Sequence, residues 1–124
     1  LLAGSDRREL IAQARPLLGV EQVLELRAAV AQVHASDALL DYVQALVNRS
    51  RRQPGVRVGL SPRAGLALLR GARAHALLLG RDHVIPEDVQ ALFAAVAAHR
   101  LVPDAEGVSA TELAQAIAQA VAVD

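Results

Sequence analysis

The stretch Val58 to Val89, VGLSPRAGLALLRGARAHALLLGRDHVIPEDV, decides the fold. Ser61 is a good helix N-cap, and Pro62 suits the first helical position because its missing N–H would have no intrahelical partner there. A long helix is therefore predicted to start at Pro62, with Gly80 as its C-terminal stop and Pro86 opening another helix. Arg63 falls in the first turn, where unpaired N–H groups and the macrodipole already supply about half a positive charge. A cation is the wrong residue there for stability. It makes sense if an anion is shared, because a helix N-terminus plus a guanidinium fork suits phosphate or carboxylate. The plain alternative is a solvated arginine or a surface salt bridge.

Around this helix, Leu68, Leu69, Ala72, His75, Ala76 and Leu79 share one side, and Arg63, Arg70, Arg73 and Arg81 the other. The first face reads as core, with His75 a satisfied core histidine, and the second as a basic stripe. Upstream, Ser5 or Asp6 can cap a short helix carrying Leu10, Ile11 and Ala14 on one face, which Pro16 ends. Val23, Leu26, Val30 and Val33 repeat at helical spacing. Ser36 caps the next helix, whose predicted buried stripe is Leu39, Leu40, Val43, Leu46 and Val47. Asp37 and Asp41 read as a helix-start acid and a solvated acid, since no catalytic partner stands at suitable spacing. Pro54 and Gly55 break that helix, and Arg49, Arg51 and Arg52 suit its negative end. Val56 to Gly59 is expected to be extended and to pair with Val33 to Ala35 as a minimal two-strand ribbon. Gly59 marks a close backbone approach or a positive φ.

Downstream, Glu87 and Asp88 complement the dipole of the helix opened by Pro86, although Ile85 offers no side-chain cap. Val89, Leu92, Phe93, Val96 and Ala97 form its apolar stripe, with His99 and Arg100 at its end and Pro103 closing the element. A capping box at Ser109 and Glu112 precedes a last helix carrying Leu113, Ala116, Ile117, Ala120 and Val121. The reading is an all-α bundle of five to six helices with a minimal ribbon, in one domain over residues 1–124.

Composition narrows the function. The net charge is zero, yet eight of the thirteen arginines lie between Tyr42 and Arg81, where there is no acid at all. Segregation of this kind faces an anionic ligand or an acidic partner surface. The absence of cysteine excludes disulfides and Cys-based metal sites, and His34, His75, His83 and His99 lack ligand spacing, so no metal is expected. No signal peptide or bilayer-length apolar run is present, and the cytoplasm is the expected compartment. A single Phe and no Lys argue against a nucleic-acid surface.

The segment GLSPRAGLALLRGARAHALLLGRDHVIPEDVQAL resembles the sensor-2 region of MoxR-family AAA+ ATPases, whose lid carries a G-x-S-P-R-x motif opening a long helix. The resemblance extends through VHASDALLDYVQALV and VAAHRLV, from Val23 to Val102. Two departures are visible: Val20 and Ile85 stand where the family usually has a hydroxyl cap.

The resemblance implies an AAA+ lid in which Arg63, positioned by Ser61 and Pro62, reaches the phosphates of ATP bound with Mg²⁺ in a core domain. The abrupt apolar start at Leu1 and Leu2, without an initiator Met, would then be the boundary with that core. It further implies a ring oligomer, chaperone-like remodelling or maturation activity, and partners containing von Willebrand factor A domains. Arg49, Arg51, Arg52, Arg70 and Arg73 are interface candidates. No part of the hydrolytic machinery is expected within these residues. The competing reading is a free-standing helical interaction module that uses the arginine-rich face.

Overall fold

The computed structural model describes residues 6–123. The prediction of Ser5 as an alternative cap and of a domain boundary at Leu1 lies outside the described residues. Among those residues the elements run α1 (Arg7–Gln13), α2 (Val20–Gln32), α3 (Asp37–Arg52), β1 (Val56–Val58), α4 (Pro62–Leu78), α5 (Pro86–Ala97), β2 (Val102–Pro103) and α6 (Ala110–Ala120). The six-helix bundle with one two-strand antiparallel ribbon is the architecture expected from the sequence.

The helix starts follow local chemistry. Asp6, Ser36, Ser61 and Ser109 each accept a backbone N–H from the first turn of α1, α3, α4 and α6. At α2 the N-cap is Gly19, and the side chain of Gln22 reaches back instead, accepting the Gly19 N–H at 2.8 Å. The end of α4 closes as a Schellman motif: the Arg81 N–H donates to the Ala76 carbonyl and the Gly80 N–H to the Leu77 carbonyl. Gly80 takes φ +77° to make that turn, the conformation that favours glycine.

The core is built by α3, α4, α5 and α6, around Leu46, Leu68, Val89, Phe93 and Ile117. Small residues on α4, Ala64, Gly65, Ala72 and Ala76, let its neighbours approach closely. A Cβ on Gly65 would meet the Val47 side chain at 3.0 Å.

Several expectations are corrected. The ribbon pairs β1 with β2, Val56 opposite Pro103 and Val58 opposite Val102, rather than with Val33 to Ala35. The physical reason is twofold. The backbone of His34 is already engaged, donating to the Asp82 carbonyl and accepting from the Val84 N–H. In addition, the 16 residues of α3 carry the chain about 24 Å away before β1 begins. The α2 stripe is not core: α2 packs against α4, but none of its residues is buried, and Val23 and Leu26 are exposed. Of that set only Val33, just past the helix, enters the core. Leu10 and Ile11 of α1 are exposed as well. Leu40 leaves the α3 stripe and lines a shallow apolar groove with Val43, Val47, Pro62, Leu66 and Leu69. Leu79 is 61% exposed because the α4 helix has ended there and the chain turns away.

Candidate functional site

The start of α4 is built as the sequence dictates. Ser61 has extended backbone, its Oγ accepts the Ala64 N–H at 3.2 Å, and Pro62 occupies the first turn. Arg63 follows on the solvent side. It is exposed, and among the described residues it forms no ion pair. The first turn contains no acid. An unneutralised guanidinium therefore stands where the helix already presents positive charge, an arrangement that costs stability and favours an anion from outside the chain.

The segment entering α4 is gripped by the last turn of α3. Ser50 is wholly buried; its Oγ donates to the Val47 carbonyl at 2.6 Å and accepts the Leu60 N–H at 2.8 Å. Arg51 Nε donates to the Leu60 carbonyl at 3.0 Å. Gly59 lies directly on the α3 backbone, where a Cβ would sit 2.7 Å from Arg51 Cα and N. Of the two readings for Gly59, close approach is the one realised; among the described residues the positive-φ glycines are Gly55, Gly80 and Gly107. Ser50 escaped the sequence reading, although its spacing from Val43, Leu46 and Val47 puts it on the buried stripe.

The basic face does not act as one surface. Arg52, Arg57 and Arg70 are exposed, whereas Arg49 is half-buried and donates from Nε to the Gln53 side chain at 3.1 Å. Arg73 is also half-buried, with its Nε enclosed and without a hydrogen-bond partner among the described residues. Arg81, predicted to join the open stripe, is turned inward: its two terminal nitrogens grip Asp88 bidentately, each at 2.6 Å.

That carboxylate, 1% exposed, is a hub that sequence reading credited only with a dipole effect. Besides Arg81 it accepts the Ile85 N–H at 2.9 Å and the His75 Nδ1–H at 2.7 Å. The Arg81 fork, aided by Ile85 and His75, holds its carboxyl well below the usual carboxylate range, although burial opposes this. Asp88 thus supplies the cap that Ile85 lacks, and it gives His75 the partner a half-buried imidazole needs. The signal was present: an acid three residues after a capless helix entry reaches back to the entry N–H.

Among the described residues no cluster of three His, Asp or Glu could hold a metal, and no helix is long and apolar enough to cross a membrane. The buried acid, being neutralised by Arg81, is a structural group rather than a base.

The family described as AAA lid domain matches residues 48–121. YeaC of Bacillus subtilis is 35% identical over 127 residues, taking in 99% of this chain and 40% of its own length. The Mycobacterium tuberculosis protein named Chaperone MoxR1 is 37% identical over 99 residues, 73% of this chain and 26% of its own. Protein MoxR of Paracoccus denitrificans is 41% identical over 81 residues, 55% of this chain and 24% of its own. A crystal structure of a candidate ATPase from Cytophaga hutchinsonii superposes with a TM-score of 0.79 at 29% identity, over 84% of this chain and 36% of that one. The chain thus spans well under half the length of each of these relatives.

Proposed function

This chain belongs to the AAA lid domain family, in the form carried by MoxR-type AAA+ ATPases, and from that premise we propose that Arg63 is the lid's sensor-2 arginine. The observation that carries the reading is an exposed guanidinium in the first turn of α4 with no ion-pair partner among the described residues. Such a group suits a phosphate: the fork donates charge-assisted hydrogen bonds, and the helix start adds its own partial charge to the same place.

In this reading ATP and Mg²⁺ are held by a core domain, which supplies the phosphate-cradling loop, the metal ligands and the positioned water. The contribution of residues 1–124, acting as one lid, is electrostatic and geometric. Arg63 meets the β- and γ-phosphates, its hold weakens when the γ-phosphate leaves, and the lid angle responds to nucleotide state. In a ring oligomer, the exposed Arg52 and Arg70 face neighbouring subunits. The mechanical output is a chaperone-like remodelling or maturation of a client, with von Willebrand factor A domain proteins as candidate partners. The inward pairing of Arg81 weakens the competing picture of one continuous arginine surface serving as a free-standing adapter.

The test is Arg63→Ala in the full-length protein. ATP turnover should fall by about tenfold or more, while residues 1–124 alone hydrolyse none. Normal turnover in the variant, or robust hydrolysis by the lid alone, would sink the reading.

A further inference from the structure

The grip of α3 on Leu60 has a consequence for Arg63. Leu60 is buried, and both of its backbone polar groups are taken by consecutive residues of one helix end, its N–H by Ser50 Oγ and its carbonyl by Arg51 Nε. Two residues later Pro62 fixes φ, and α4 has begun. Nothing between Leu60 and Arg63 is free to take up slack. We propose that Ser50 and Arg51 are positioning residues that form a latch on Leu60 and so set where Arg63 is presented, a role that rests on the sensor-2 reading of Arg63.

The chemistry of each residue fits that role better than a role in packing or charge. Ser50 sits on the buried stripe of α3, where an apolar side chain would contribute more to the core. Its single hydrogen is committed to the Val47 carbonyl, which leaves the oxygen lone pair aimed at the Leu60 N–H. Arg51 uses Nε, the nitrogen nearest its stem, rather than the terminal pair that forks around an anion. The latch therefore needs a donor at that reach and not a positive charge. Gly59 completes it, since any side chain there would push the strand-to-helix segment off the α3 backbone.

This makes a distinction that substitution can read. Glutamine places its amide nitrogen the same number of bonds from the backbone as Arg51 Nε, so Arg51→Gln keeps the donor and discards the charge. Arg51→Met keeps the stem and discards both. In the full-length protein, Arg51→Met should lower ATP turnover about fivefold, because small misplacements of a phosphate ligand are costly. Arg51→Gln should stay within about twofold of the parent rate, and the melting temperatures of both should stay within about 3 °C of the parent's. In an Arg63→Ala background, Arg51→Met should add no further loss, since its effect passes through Arg63.

Ser50→Ala is the second arm, expected to lower turnover in the same direction and to show the same lack of additivity with Arg63→Ala. The latch is overturned if Arg51→Met and Ser50→Ala turn over at the parent rate while Arg63→Ala is impaired, an outcome that leaves the sensor-2 reading standing. It is overturned equally if Arg51→Gln fails as badly as Arg51→Met, which would give the guanidinium a direct role, or if the two losses add in full. A normal rate for Arg63→Ala removes both the latch and the reading beneath it.

Discussion

The two ends of α4 use arginine in opposite ways. At the start, Arg63 stands exposed beside a positive helix terminus with nothing among the described residues to neutralise it. Past the end, Arg81 is drawn in by a buried carboxylate that also caps α5 and holds His75. The same residue type serves assembly at one end and is left over at the other. What separates them is the turn that follows. Gly80 folds the chain back so that Asp88 arrives within reach of Arg81, whereas the segment before Arg63 carries Leu60, Ser61 and Pro62 and brings no acid. An arginine paired within the chain contributes to stability; one without a partner among the described residues is left open to an anion.

The largest effect should come from removing the partner. Asp88→Ala withdraws an acceptor from Arg81, Ile85 and His75 at once, and should cost about 3 kcal/mol in thermal or denaturant unfolding of residues 1–124. The same carboxylate gives a pH signature. Its folded pKa is depressed, so its contribution is complete above an unfolded value of about 4 and drains as pH falls toward the folded one. Asp88→Asn should therefore flatten the acid limb of stability below about pH 4 relative to the parent. Next in size is Ser61→Ala, which removes the α4 cap and should cost about 1 kcal/mol. Smallest, and of opposite sign, is Arg63→Ala. Taking a cation from a helix start should leave the chain unchanged or stabilise it by about 0.3 kcal/mol. A loss of more than about 1 kcal/mol there would reveal an internal partner and erase the contrast between the two ends.

Much of this was legible because it is local. Ser36, Ser61, Ser109, Pro62, Pro86 and Gly80 mark their helix ends as their chemistry dictates, and all six do so in the structure. Arg63 was legible for the same reason, since its oddity is defined by its own first turn. What escaped depends on which surfaces meet. The α2 periodicity is real, but α4 packs against α2 without burying it, so Val23 and Leu26 remain exposed. The ribbon partner of β1 depends on β2, which lies more than forty residues along the chain, and local pattern cannot choose between two short candidates. Arg81 departs from the predicted stripe because its angular position on the helix wheel is irrelevant once the helix has stopped before it. Ser50 and Asp88, the two buried polar residues among those described, each read locally as ordinary helix residues, because their worth lies in groups elsewhere in the chain.

Secured at one extremity by the Leu60 grip and at the other by the Asp88 hub, α4 behaves as a strut about 25 Å long. Pivoting such a strut by about 10° around its far joint sweeps the near tip through about 4 Å, enough to carry a side chain from contact to complete separation. Leverage of that kind turns a small rotation of the whole body into an all-or-none event at its tip.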